Sequence, residues 1–468
     1  MKLIIITSII LSGFWQCAFA RVIKIGLHDK LRMIYISANR DYQVSEDISS
    51  DGEWSESKTI INAKSKTKTL IRSSPATIEK IVVASPPTIT SSSRALKFSC
   101  QAPSNNKILI TQFDSRKVFK GDYKNIKIKP TRQKTSKPCL FMLKTSRFDT
   151  NPYNIFRGDI IIIPHKNYFT VINAIGIEDY LRSVVASEVS KTWPAEALKA
   201  QAVAARTYTL SHLGRRKNLG YDLKSGVEDQ MYLGYKKESK SINNAIKATL
   251  GEFLVDKQGL VVDAYYSSHS GTYSSYPEYV WGLAPKHYLQ AVKEFSTETK
   301  AWDLKLSIND LAEKLKDLKF QKISAITILK RSPEGRVNSV LISGSKNNLL
   351  AHMTLTGEEF RHHLGLRSTN FDYNWVIEET IITPAAPLTP VKKQNLFRRL
   401  FSFKSNETKP NPPLKKIVQN KLIISGKGYG HGIGLSQYDA KFLASQGKSY
   451  KYILGYYYQG AKIIKIKG

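Results

Sequence analysis

Pro194 followed by Ala195, Ala197, Ala200, Ala202, Ala204 and Ala205 constrains the fold of this chain more than any other segment. Six alanines in eleven residues, with Pro at a first helical position and Glu196 in the first turn, predict a helix over residues 194–213. Small side chains let neighbours approach it closely. The helix is therefore expected to be buried, and Gln201 and Arg206 on it would then need partners. Just upstream, Ile177, Leu181, Val184 and Glu188 fall at helical spacing, so a second helix over 177–188 carries an apolar stripe that ends in a carboxylate.

Around these helices the pattern changes. Alternation in Val22 to Leu27 and the run Met33 to Ile36 read as paired strands. Ile108 to Ile128, Leu140 to Leu143 and Asp159 to Ile163 read the same way, so a β-rich, basic N-terminal region spans 21–150. Within it, residues 45–103 turn to Ser, Thr, Lys and Pro with intermittent apolar runs. A mixed core follows over 153–375, with a helix over 241–250, an apolar strand over 259–267 and an amphipathic helix over 307–317. Residues 383–416 form a Pro-bounded basic insertion. Its Leu396, Phe397, Leu400, Phe401 and Phe403 are open to two readings, a flexible loop or a short amphipathic helix in peripheral membrane contact. Residues 417–468 complete the core through a strand at Leu422 to Ile424, a glycine loop and a helix starting near Leu435. The expected class is α+β: a β-rich N-terminal region and a mixed α/β catalytic core with a buried Ala-rich helix.

Lys2, the apolar stretch Leu3 to Phe14 and Ala18-Phe19-Ala20 match a signal peptide over 1–20, so the chain is expected to be exported to the periplasm or cell envelope. Export reinterprets the charge of 71 − 38 = +33. Outside the membrane, wall polymers, anionic lipid and acidic glycans replace nucleic acid as the polyanions at hand, and no nucleic-acid partner is expected. With three Cys, no CxxC and no HxxxH pair, a thiol-ligated metal site is not expected, and no cofactor is predicted. Cys100 and Cys139 of the mature chain can pair or remain thiols; the sequence supplies no geometry to choose.

Gly428, Gly430, Gly432 and Gly434 alternate through Tyr429, His431 and Ile433. Neither a GxGxxG nor a Walker spacing fits, so the glycines are expected to admit close backbone approach, with His431 and Gln437 as polar tips.

Several blocks together resemble the stage II sporulation protein D family, which includes the amidase enhancers. They are Ile177 to Leu181, Val185 to Glu188, Trp193 to Tyr208, Tyr266 to Gly271, Val280 to Gly282, Arg331 to Arg336 and Gly428 to Ala440. The resemblance implies a lytic transglycosylase that cuts peptidoglycan glycan strands, including peptide-stripped ones, with its single catalytic glutamate at Glu188. The residue pattern points to the same group, because desolvation beside a buried helix raises a carboxyl toward the range of a general acid. One carboxyl suffices where the muramic acid C6 hydroxyl is the internal nucleophile. Gln201, Arg206, Ser268, His269, Tyr429, His431, Ser436 and Gln437 are candidate substrate-binding residues. The competing reading of Glu188 is a helix cap or an ion pair with Arg206.

Some members of the family carry a Cys and His cluster linked to zinc. The comparable stretch here, Tyr221 to Gln230, offers Lys224, Glu228 and Asp229, so a local polar network is expected instead. Other members are known as activators, which implies a rival function: a non-catalytic glycan-binding partner of an N-acetylmuramoyl-L-alanine amidase. A third class is a basic surface protein that holds wall polymer by charge alone.

Overall fold

The computed structural model describes residues 22–31, 33–38, 42–47, 57–63, 94–100, 108–112, 118–121, 125–130, 138–145, 154–165, 168–382 and 415–466. The expected signal peptide and residues 383–414 of the basic insertion lie outside the described residues. So does the side chain of Cys100, and with it the question of its pairing.

The protein is α+β. Two sheets occupy the N-terminal part. One runs Leu223–Lys224, Val22–Leu31, Phe169–Gly176, Asp159–Pro164, Asn125–Pro130, Tyr42–Asp47 and Ser57–Ala63 in spatial order. The other runs Ile155–Phe156, Phe141–Lys144, Met33–Ala38, Arg94–Cys100, Ile108–Gln112 and Val118–Gly121. What reads in sequence as one run from Ile108 to Ile128 is three strands in two sheets. Alternation buries Ile23 and Ile25 from one sheet with Ile34, Ile36, Phe141 and Leu143 from the other in one cluster.

That cluster continues into the helices. Phe169–Gly176 runs without a loop into α1 (Ile177–Glu188), whose Ile177, Leu181 and Val184 are buried as the stripe predicts. The β-rich region and the helical core thus share one interior, since Val22–Leu31 pairs along Phe169–Gly176 from Val22↔Gly176 to Leu31↔Phe169. Asp222 secures the same strand: its Oδ2 accepts the Lys24 N–H at 2.8 Å and its Oδ1 that of Gly214 at 2.9 Å.

Helix α2 (Ala195–Ser211) lies between two cores. Leu198, Ala202 and Ala205 face the first; Ala197, Ala200, Val203 and Ala204 face a second that holds Ile433, Leu435, Ile453 and Tyr457. Of the six alanines only Ala195 is exposed. A larger side chain at the buried positions would overpack one core or the other, at about 1–3 kcal/mol.

Among the described residues the remaining helices are α3 (Lys240–Ala248), α4 (Pro277–Trp281), α5 (Ile308–Lys314), α6 (Gly357–Leu364), α7 (Gln437–Ser445) and α8 (Tyr450–Tyr457). The expected strand over 259–267 is reduced to a bridge at Val261 and the short strand Tyr266–Ser267. A turn at Gly259, closed by Asp256 Oδ1 accepting the N–H groups of Gln258 and Leu260, takes up its start. The amphipathic helix over 307–317 stops at Lys314 and becomes a 3-10 turn. The last glycine-loop helix begins at Gln437, since Leu435 and Ser436 are strand.

A third core, built on Leu306, Leu311, Val340, Ile342, Phe360 and Ile424, fills the lobe of residues 302–376 and 421–426. Its hairpin pairs Phe371–Ile382 with Lys415–Gly426, from Phe371↔Gly426 to Ile382↔Lys415. Lys415 and Lys416, expected within the insertion, are therefore strand residues, and the insertion spans the tip of this hairpin.

Candidate active site

Glu188 closes α1, and Val189 after it is extended, so the carboxyl leaves the helix where the chain turns toward α2. Its Oε1 accepts the Met231 N–H at 3.0 Å. Burial, the largest influence, pushes the carboxyl above its usual range. The Met231 N–H and the Gln437 amide facing it oppose that rise without cancelling it. Among the described residues no cation forms an ion pair with Glu188, which is why burial prevails. The expected alternative partner is committed elsewhere, as Arg206 holds Glu178 through Nε at 2.7 Å and Nη2 at 2.8 Å and gives Nη1 to the Glu252 carbonyl at 3.0 Å.

Arg206 therefore corrects one expectation: a fully buried guanidinium engaged on three sides ties α2 to α1 and is not presented to a substrate.

A buried amide supports the site from below. Gln230 donates to the Tyr266 hydroxyl at 2.8 Å and the Ala205 carbonyl at 3.2 Å; its Oε1 accepts from Thr209 at 2.9 Å and Tyr180 at 3.3 Å. The Tyr180 and Tyr266 hydroxyls are held well above the usual phenol range, chiefly by burial, with the Glu188 charge contributing to both. Both therefore stay protonated beside the carboxyl.

Two chain segments far apart in sequence form the opposite wall. Tyr266–Ser267 pairs in parallel with Leu435–Ser436, and His269 bridges Tyr429. The four glycines make this approach possible: all have positive φ, a Cβ at Gly434 would strike the Tyr265 carbonyl, and one at Gly432 would strike the Arg336 guanidinium. The loop then delivers Gln437 at the first position of α7 toward Glu188.

Several of the polar candidates share a property. Gln201 Nε2 and Oε1, His269 Nε2, Ser436 Oγ and Gln437 Nε2 are buried and have no hydrogen-bond partner among the described residues. Native interiors seldom leave such atoms unpaired, so they mark where water or ligand atoms belong. His269 Nδ1 accepts the Gly271 N–H at 2.9 Å, which orients the ring, and Glu294 Oε2 lies 3.1 Å from the same nitrogen without a hydrogen bond to it. Ser268 acts through its carbonyl, accepting the Tyr438 N–H at 3.0 Å. Tyr429 is 54% exposed and meets His269 only through the main chain. His431 accepts the Ile433 N–H at Nδ1 and lies 4.8 Å from Trp281 with the rings tilted at 49°; burial first, then Arg361 and Arg336, push it down to about 3, so its imidazole is neutral.

A protein of Brachyspira hyodysenteriae with no assigned function is 31% identical over 314 residues, which are 66% of this chain and 72% of that one. The family model described as stage II sporulation protein matches residues 165–255, the stretch that holds α1, α2 and Met231. The chain belongs to the stage II sporulation protein D family. Within it, the Bacillus amyloliquefaciens protein called stage II sporulation protein D is 28% identical over 62% of this chain and 75% of its own length. The Bacillus subtilis amidase enhancer is 32% identical over 60% of this chain, which spans 40% of the enhancer.

The zinc cluster linked to some sporulation protein D relatives does not fit the residues here. Asp229 is fully buried, bound by Arg215 and Arg216, and its Oδ2 accepts the Lys224 N–H at 2.7 Å. Both carboxylate oxygens are thus engaged by cations and N–H donors, and Glu228 pairs with the Lys224 ammonium at 3.5 Å. No group of three His, Cys, Asp or Glu among the described residues is placed to hold a metal. The same engagement removes Asp229 as a second acid or base.

Sequence reasoning missed Met231, Gln230, Tyr266, Trp193 and Tyr438. Met231 acts through its backbone, which no side-chain pattern reports. Tyr266, Trp193 and Tyr438 lie inside the family-like blocks, and their repeated aromatic and amide companions were the available signal.

Proposed function

We propose that this member of the sporulation protein D family is an exported cell-wall enzyme that cleaves peptidoglycan glycan strands as a lytic transglycosylase, with Glu188 as sole acid and base. The supporting observation is the Glu188 carboxyl itself: desolvated, raised, without a cationic partner among the described residues, and faced by the Gln437 amide.

The chemistry balances with one carboxyl. Protonated Glu188 gives its proton to the glycosidic oxygen as the C1–O bond breaks. The C6 hydroxyl oxygen of the same muramic acid bonds to C1, and its proton passes to the Glu188 carboxylate. The products are a shortened strand ending in a 1,6-anhydro ring and a new free hydroxyl, no water is consumed, and the acid is restored. The Met231 N–H, donated to Oε1, stabilises the carboxylate midway, while burial favours its reprotonation.

Mass spectrometry of purified, peptide-stripped glycan after incubation tests this. Products ending in 1,6-anhydro muramic acid are expected; reducing ends would instead mean hydrolysis. The name of the amidase enhancer, matched at 32% identity, favours a second reading in which the same cleft binds glycan and stimulates an amidase. Stimulation by a Glu188→Gln chain as strong as that by the parent would favour it.

A further inference from the structure

Beside Glu188 lies a feature that the carboxyl chemistry does not use. The turn leaving α1 presents Trp193, and α7 presents Tyr438, the residue after Gln437. Their ring centroids are 5.3 Å apart at 67°. Both rings are half-buried. The Lys300 ammonium lies 4.4 Å from the Tyr438 centroid and is paired with Glu298, while the exposed Lys441 reaches within 5.9 Å of both rings.

This corner is held rather than loose. The Trp193 N–H closes a turn on the Ser190 carbonyl at 3.1 Å, Pro194 stiffens the next position, and the indole packs against both cores that flank α2. The Tyr438 N–H is fixed by Ser268. Two rigid, half-buried amphipathic rings at an angle, next to a buried amide that lacks a partner, suit a ligand with an apolar face and a polar rim. A pyranose ring has that shape: its C–H bonds line one face and its hydroxyl and acetamido groups project from the edge.

We infer that Trp193 and Tyr438 form a saccharide subsite that stacks one N-acetylhexosamine ring of the strand beside the Glu188 carboxyl, with the Gln437 amide reading the edge of the sugar bound there. The inference rests on the reading of Glu188 as the acid that meets a glycan, and it adds the residues that place the strand. Stacking contributes binding that is the same in ground and transition states, so its loss raises KM and leaves kcat nearly unchanged.

The test uses the full-length Glu188→Gln chain and chitotetraose, a neutral N-acetylglucosamine oligomer, as the calorimetric probe. Binding is expected, and it should persist at high salt because the probe carries no charge. Trp193→Ala and Tyr438→Ala should each weaken it by about tenfold or more, and Trp193→Phe by less than about threefold. Tyr438→Ala leaves the core packing of Trp193 in place and serves if Trp193→Ala does not fold. No binding by the parent, binding that collapses with salt, or a folded Tyr438→Ala chain that binds like the parent would each overturn the subsite. In a Glu188-intact chain, anhydro products with an unchanged KM in Tyr438→Ala would also overturn it and leave the transglycosylase reading standing. Chitotetraose binding that depends on both rings, with no anhydro products from wall glycan, would support the subsite and end that reading instead.

Discussion

Arg206 grips Glu178, not Glu188: both carboxylate oxygens of Glu178 accept from its guanidinium, at 2.7 and 2.8 Å. This separates a holding pair from the Glu188 carboxyl one helix length away. It also makes opposite outcomes for two substitutions.

Glu188→Gln keeps an oxygen to accept the Met231 N–H but cannot give and reclaim a proton. Turnover should fall by roughly 10²-fold or more, with melting temperature unchanged or slightly raised. Arg206→Met should do the reverse, costing about 3 kcal/mol by stranding Glu178 and the Glu252 carbonyl while the surviving folded protein keeps its per-molecule activity. Thermal melts and glycan-cleavage assays on both chains check the pair. A destabilised Glu188→Gln chain with residual activity would mean that the carboxyl is structural.

The pH dependence of stability carries a sign. Burial raises the Glu188 carboxyl in the folded state, so its contribution is fully present below the ordinary glutamate range and is lost as pH rises through the raised value. The difference in melting temperature, Glu188→Gln minus parent, should be smallest in acid and grow more positive toward neutrality. A flat difference across that range would contradict a desolvated carboxyl.

His431 works in the other direction. Its folded value is pushed down to about 3, so the stability it contributes is present above the ordinary histidine range near pH 6.5 and is lost as pH falls toward 3. His431→Asn should therefore lose less stability than the parent between pH 6 and pH 4. Matched melts at those two values read the effect directly.

Gly432 lies at φ 79° against the Arg336 guanidinium. Gly432→Ala is strained twice, by backbone and by overlap, and should cost about 1–3 kcal/mol. Because the loop also delivers Gln437, cleavage per folded molecule should drop as well. A melt within a degree of the parent would show that the loop has room to adjust.

The hairpin pairs Ile382 with Lys415, which places the two ends of the insertion side by side. Replacing residues 383–414 by an Asn-Gly turn should therefore leave a cooperative melt close to that of the full chain. Loss of cooperativity would assign the insertion a packing role.

Much of the fold and part of the site are legible in the residues themselves. The 3.6-residue spacing of Ile177, Leu181 and Val184 places α1 and its terminal carboxylate, and the alanines of 195–205 place a helix that has to be buried, because periodicity and side-chain size report which face leaves water. They do not report what that face meets. That Arg206 meets Glu178, that the Met231 N–H reaches Glu188, and that Trp193 and Tyr438 stand together are decided where Tyr266–Ser267 pairs with Leu435–Ser436 and carries the glycine loop across the site. Contacts between distant segments depend on register and packing, which local pattern does not encode; the same limit hides the strand identity of Lys415 and the third core that closes around Ile424. The amino-acid sequence by itself determined the elements and the carboxylate that ends α1, and the tertiary structure decided its partners.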